Sequence, residues 1–192
     1  MKKILLAALL IISFIAVAEE HMFVHGQYAL RDTVSGDSAN PNRQGVNLVI
    51  GHKVTPNITI DLGSQFRTEK LNSKDGSNSN RLEAGAAYAY NINQDIALYI
   101  RGGLGEKFSS SDNFSYYSVE PGIKTQITSN IVGKVGYRYR DSFSDLGDDK
   151  TNTFRLGIEY ALNKINAITI GVDRSYGNSE FVGYNVGYLV KF

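Results

Sequence analysis

The chain has 192 residues, with 20 Lys plus Arg against 19 Asp plus Glu, three His and no Cys. That length fits one domain, the balanced charge leaves no electrostatic footprint for nucleic acid, and the missing thiols exclude disulfides, a lipid-attachment cysteine and thiol chemistry. Twelve Tyr, nine Phe and 19 Gly beside only three Pro point to many short strands rather than helices.

The opening MKKILLAALLIISFIAVA sets Lys2 and Lys3 ahead of an apolar run from Ile4 to Ala16, and Ala16-Val17-Ala18 supplies a small-x-small cleavage pattern. This predicts a secretory signal peptide over 1–18, cleaved to leave 19–192 as the folded domain. The apolar run is short for a bilayer span and nothing later in the chain is longer, so a helical membrane span is not expected.

From there the dominant signal is alternation with period two, the strand period. A weaker segment at 21–31 opens the series. In 43–55, Val46, Leu48, Ile50 and Val54 share one face while Arg43, Gly45, Asn47, Gly51 and Lys53 share the other. In 58–70, Ile58, Ile60, Leu62 and Phe66 oppose Thr59, Asp61, Gly63, Gln65, Arg67 and Glu69. The pattern recurs over 81–92, 95–108, 115–127, 130–143, 152–162 and 166–176. It closes on 181–192, FVGYNVGYLVKF, where Val182, Tyr184, Val186, Tyr188, Val190 and Phe192 share a face. Ten strands are therefore expected, with eight or twelve left open. Each is long enough to cross a bilayer when tilted, since about 9–11 residues suffice.

The connections alternate. Tight Asn-rich turns near 55–57, 91–94, 128–130 and 163–166 separate longer polar loops at 32–42, 71–80, 109–114 and 144–151, with a short fifth at 177–180. Short turns at one end and longer loops at the other describe an up-and-down meander. Aromatic residues fall near both ends of the apolar faces: Tyr28, Phe66, Phe154 and Tyr176 toward the loops, Tyr90, Tyr160, Tyr188 and Phe192 toward the turns. Two such girdles suit the two interfaces of a membrane. A soluble barrel with its apolar face inside is the other arrangement of the same strands.

Taken together, the leader, the alternating strands, the asymmetric connections and the terminal Phe192 resemble bacterial outer-membrane β-barrel proteins. The fold class implied is all-β, a transmembrane antiparallel up-and-down barrel. In that family the last strand carries an assembly signal, a terminal aromatic preceded by alternate apolar residues. Tyr184, Tyr188, Val190 and Phe192 match it. The resemblance implies an integral outer-membrane protein, contact with outer-membrane lipid and lipopolysaccharide, recognition by the barrel-assembly machinery through the C-terminal strand, and a monomer.

Parity then sorts the charges. Thirteen basic residues and six acids take the inward face, while the other acids sit mostly in the connections. Low-dielectric walls focus such a field and enrich anions inside. Arg101, Glu120, Arg138, Arg155 and Asp173 fall near mid-barrel on five successive strands, and Arg140 shares an inner face with Arg138. Such an arc reads either as a constriction that selects solutes by charge or as an ion-pair plug. Twelve inward glycines would leave unfilled space beside it. A narrow, anion-leaning diffusion channel for small solutes is the expected function, loosely similar to monomeric porins for acidic oligosaccharides. A non-conducting structural or surface-interaction barrel is the alternative. His21, His25 and His52 all fall toward the turn end, no Ser-His or Asp-His pair reaches the loop rim, and no zinc or calcium spacing occurs. No catalytic residue, metal or cofactor is expected.

Overall fold

The computed structural model describes residues 21–33, 43–69, 78–109, 113–143, 150–177 and 180–192. The signal peptide expected over 1–18 and most of the expected longer loops lie outside these residues. Ten strands follow in order: β1 (Met22–Thr33), β2 (Arg43–Lys53), β3 (Ile58–Glu69), β4 (Asn78–Asn91), β5 (Ile96–Ser109), β6 (Phe114–Thr128), β7 (Ile131–Ser142), β8 (Thr151–Ala161), β9 (Asn166–Gly177) and β10 (Phe181–Lys191). Each pairs antiparallel with its neighbours in sequence, and β10 returns to β1 to close the barrel. The expected count of ten holds. Every strand end lies within a few residues of its expected place, the largest extension being β4, which starts at Asn78.

The turns show why the strands stop where they do. Asn93 Oδ1 accepts hydrogen bonds from the backbone N–H groups of Asp95 at 2.9 Å and Ile96 at 2.8 Å. Asn163 does the same for Ile165 and Asn166 at 2.9 and 2.8 Å, and Thr55 Oγ1 takes the N–H of Ile58 at 3.0 Å. A short polar side chain that closes on its own backbone offers an alternative to the sheet ladder and reverses the chain.

The stagger of the sheet fixes height. Register pairs lead from Phe23 through Gly51, Asp61, Gly85, Gly103, Ser118, Arg140 and Thr151 to Gly177, climbing from the turn end to the loop end. The full circuit amounts to a shear of about 12 residues, which tilts the strands by about 40° and gives a backbone radius of roughly 10 Å. Side chains at one height therefore come from successive strands displaced by about one residue per strand.

Burial confirms which face is which. The outward parity holds the exposed apolar residues, among them Leu62, Leu104, Leu156, Ile170 and Val186. The outer aromatics contact one another in part: Tyr137 meets Phe154 at 5.0 Å, and Phe154 meets Tyr176 at 6.4 Å between ring centroids. Inside, the buried apolar side chains are small or scattered, among them Ala29, Ala167, Phe181 and Leu189. Among the described residues the largest fully buried side chains are Tyr116, Glu120, Ser118 and Ser175. Water is the natural solvent of that interior and lipid of the exterior.

Replacing Leu62, an outward residue at mid-wall, by Arg is expected to cost about 2–4 kcal/mol of folding free energy in lipid vesicles. Gln65→Arg on the inward face of the same strand should change stability by less than about 1 kcal/mol. Denaturant titration of refolded protein in vesicles measures both, and equal costs would contradict the assignment of faces.

Candidate functional site

The interior is one cavity of about 780 Å3, lined from His21, Lys53 and Phe192 at the turn end to Arg31, Arg67 and Arg81 at the loop end. That volume holds roughly 25 waters at about 30 Å3 each. Its lining is layered, and the middle layer is the most tightly bonded.

Two ion-pair clusters occupy mid-lumen. In the first, Arg101 on β5 reaches past β4 to Asp61 on β3, with Nε to Oδ2 at 2.9 Å and Nη2 to Oδ1 at 2.5 Å. Its Nη1 donates to Glu83 on β4 at 2.5 Å. The other oxygen of Glu83 takes Arg138, which has crossed from β7. Ser118 Oγ donates to Glu83 at 3.3 Å. In the second, Glu120 on β6 is 1% exposed. It accepts from Arg155 Nη1 at 2.6 Å and Tyr99 Oη at 2.9 Å, and Lys134 Nζ lies at 3.1 Å. Arg155 Nε then meets Asp173 at 3.4 Å. Glu83 and Glu120 each have three partners, as buried charges require. Paired bonds such as Arg101 to Asp61 add direction as well as strength.

The inward glycines make this bonding possible, and here the expectation of empty space is corrected. A Cβ at Gly85 would lie 2.3 Å from the Arg101 guanidinium, and one at Gly103 would lie 2.7 Å from Glu83. At Gly122 and Gly136 it would meet Tyr99 at 2.4 and 2.5 Å; at Gly105 it would meet Tyr116 at 2.5 Å; at Gly51 it would meet Phe23 at 2.2 Å. These positions are slots in which long side chains from neighbouring strands, or for Gly136 from two strands away, lie flat against the wall. Only Gly63, Gly157 and Gly183 leave a Cβ at ordinary contact distance among the inward glycines described. Each slot saves the thickness of a side chain, so the cavity survives because large residues hug the wall.

Opposite the clusters, at the same height, stands a neutral belt. Asn185 on β10, Gln27 on β1, Asn47 on β2 and Gln65 on β3 place one amide on each of four adjacent strands. Gln65 Nε2 donates to Asn47 Oδ1 at 2.5 Å and Gln27 Nε2 to Asn185 Oδ1 at 3.3 Å. Below this layer, His25 Nε2 lies 2.8 Å from Thr169 Oγ1. Lys191 pairs with Glu159 at 2.5 Å near the turn end, where Lys53 and Lys124 also line the cavity.

Of the residues singled out from sequence, Arg101, Glu120, Arg138, Arg155 and Asp173 stand at mid-lumen in these two clusters. Arg140 stands apart, one layer toward the loops, with its guanidinium 5.4 Å from the Tyr116 ring centre. Tyr184, Tyr188, Val190 and Phe192 share the outward face of the last strand and its terminus, and the Phe192 N–H donates to Met22 O at 2.8 Å. Asp61, Glu83 and Lys134 carry inward parity in the sequence but had no place in the expected arc. Tyr99 was missed altogether, although its position two residues before Arg101 puts it on the inner face.

The family model described as the outer membrane protein beta-barrel domain matches residues 4–161. The chain belongs to that family, and it is an integral outer-membrane barrel. None of the curated proteins gives a match. Among solved structures it is similar to an outer-membrane channel from Pseudomonas putida F1, at 11% identity and a TM-score of 0.61, covering 92% of this chain and 97% of that one. It is also similar to the β domain of the Bordetella autotransporter BrkA, at 8% identity and a TM-score of 0.57, covering 91% and 100%. The KdgM porin in complex with disordered oligogalacturonate matches at 14% identity and a TM-score of 0.49, covering 88% and 99%. Identities this low establish a shared fold and nothing finer.

Two outcomes test the bonding. Gly122→Ala should destabilise the barrel by about 1–3 kcal/mol through the Tyr99 ring, whereas Gly157→Ala should stay within about 0.5 kcal/mol. Glu120→Gln strands Arg155 and Lys134 beside one another and is expected to cost about 3 kcal/mol. Glu159→Gln, at a rim pair with Lys191, should cost less than about 1 kcal/mol. Unfolding midpoints in vesicles give all four values, and equal midpoints within either pair would refute the account of that pair.

Proposed function

We propose that the barrel is a narrow, anion-leaning channel for small solutes across the outer membrane. The observation that carries this reading is the cavity of about 780 Å3 with a surplus of positive charge along its wall. Thirteen Lys and Arg have inward parity among the described residues against six acids, and five of those acids, Asp61, Glu83, Glu120, Glu159 and Asp173, are engaged by Lys or Arg. Acids that are already matched leave the net field of the lumen positive. A low-dielectric wall concentrates that field on the axis. Nothing in this reading calls for catalysis: the strongly coupled charges serve one another and position no nucleophile.

The geometry favours small solutes over large ones. The Arg138–Glu83 pair joins β7 to β4 across two intervening strands. It runs as a chord through the lumen and narrows the passage to the side where the amide belt stands. That same chord supports the second reading, a barrel sealed at mid-height whose role lies in the membrane or at its surface. Under either reading the surroundings are outer-membrane lipid and lipopolysaccharide, the protein is a monomer, and the outward face of Tyr184, Tyr188, Val190 and Phe192 serves assembly. Export by a leader over 1–18 belongs to the same proposal.

Conductance decides between the two. Refolded protein in a planar bilayer should give steady openings, with a reversal potential under a salt gradient that favours chloride over the cation. Arg138→Ser together with Arg155→Ser removes two cations and the chord, so conductance should rise and the anion preference should fall by roughly half or more. A folded protein that stays silent, and begins to leak only as the double variant, would establish the sealed barrel.

A further inference from the structure

The ion-pair clusters at mid-lumen carry no net charge. Four cations, Arg101, Lys134, Arg138 and Arg155, are matched by four carboxylates, Asp61, Glu83, Glu120 and Asp173, and each of the eight pairs within the set. The facing wall is the belt of Asn185, Gln27, Asn47 and Gln65, all of which line the cavity. We propose that this belt is a binding site for small uncharged polyols and sugars, molecules whose neighbouring hydroxyls donate and accept side by side. The inference goes beyond the anion-leaning channel: it needs the cavity to be reached from solution at one end, and not that ions cross.

Three features support it. The first is the hydrogen-bonding capacity left on the belt. Gln65 donates to Asn47 at 2.5 Å and Gln27 donates to Asn185 at 3.3 Å, so each pair uses one N–H and one oxygen. The amino groups of Asn47 and Asn185 and the side-chain oxygens of Gln27 and Gln65 have no further partner among the described residues. Turning both amides of a pair over leaves the same set, one free oxygen and one free amino group. The belt therefore sets donors beside acceptors, and a hydroxyl answers both. A carboxylate or a phosphate accepts only, and would leave the two amide oxygens facing negative charge.

The second feature is preorganisation. Asn185 lies over Gly171, where a Cβ would stand 2.6 Å from its Oδ1, and Gln27 lies over Gly187, where a Cβ would stand 2.7 Å from its Cγ. Both are kept against the wall and bonded to each other, so a ligand that meets them orders little that is not already ordered. The third is a recess. Val49 and Gly63 pair in register directly on the turn side of Asn47 and Gln65. A Cβ at Gly63 would find nothing nearer than Val49 Cγ2 at 3.7 Å, so the wall there is bare backbone beside one apolar side chain. A polyol has C–H faces between its hydroxyl edges. Its face fits on Val49 and Gly63 while its edge reaches the amides. An anion gains nothing from Val49 and would sit beside Glu83, the register partner of Gly63 on β4.

The test is direct binding of mannitol, with no need for current, read by saturation-transfer NMR on refolded protein in deuterated detergent micelles. Half-saturation in the low millimolar range is expected, the affinity given by about four neutral hydrogen bonds of ordinary net strength. Asn47→Leu with Gln65→Met removes one pair whole, strands neither partner, and should weaken binding about tenfold or more. Lys53→Gln with Lys124→Gln, at the turn end, should change it by less than about threefold. Triethylene glycol dimethyl ether, similar in length but with acceptors only, should not displace mannitol. Gln27→Met with Asn185→Leu repeats the test on the second pair should the first double variant fail to fold. No saturation by the folded protein, equal weakening by the belt and turn-end variants, or displacement by the ether at mannitol's own concentration overturns the inference. A silent barrel that still binds mannitol sinks the channel reading alone, and a conducting barrel that does not bind it sinks this one alone.

Discussion

A backbone surrounded by hydrocarbon has no water to bond with, and that constraint governs the whole molecule. Every N–H and C=O in the wall must find a partner within the sheet, so the sheet must close. The pairing of β1 with β10 over eleven register positions does this. Closure in turn forces alternation, because each strand now has one face in lipid and one in water. Pro121 in β6 has no N–H to give, and the β6–β7 ladder is interrupted between Val119 and Gly122 as well as shifted in register between Gln126 and Thr128. The proline occupies outward parity, and its inward neighbour Glu120 is a carboxylate with three partners and 1% exposure. A multiply bonded buried carboxylate thus lies beside the interrupted ladder, and side chains from β5, β7 and β8 brace it from within.

A wet interior cannot be held by the hydrophobic effect, so polar bonding takes its place. Removing the charges at mid-lumen from water is costly, and only multiple bonds per carboxylate offset that cost. The stagger of the sheet helps. Because equal heights advance by about one residue per strand, side chains several strands apart in register come level, and long arginines can meet acids from non-adjacent strands. Glycine slots let them do so while lying against the wall. The result is three tiers: cations with aromatic supports near the loops, ion pairs facing amides in the middle, and lysines with one acid near the turns.

Most of the fold was legible because period two survives even where propensity is weak. Strand 43–53 reads correctly although it contains three residues as unlike as Gly51, His52 and Lys53, since the outward Val46, Leu48 and Ile50 set the phase. The inward set of basic residues followed from the same parity. Partner choice did not. Arg101 stands opposite Glu120 in register, which suggests a pair. Tyr99 lies across Gly122 and takes that carboxylate instead, and Arg101 turns back over Gly85 to Asp61. Those choices depend on side-chain length, on which neighbours are glycine and on the stagger, and alternation carries none of these. The glycines misled for the same reason: a residue with no side chain looks like a gap until the neighbour that fills it is known.

The tiers also separate stability from selectivity. Under the channel reading each mid-lumen arginine is both a strut and a filter, because the bonds that hold β3 to β8 together are made by the groups a passing ion would feel. A substitution there changes the fold and the field at once. In the loop-side tier the guanidinium groups of Arg31, Arg81 and Arg140 are supported by Phe181 and Tyr116, and a neutral side chain can rest on the same rings. Aromatic support leaves charge adjustable where ion-pair support does not. Under the channel reading, selectivity can therefore vary at the loop-side tier while the middle tier stays constant.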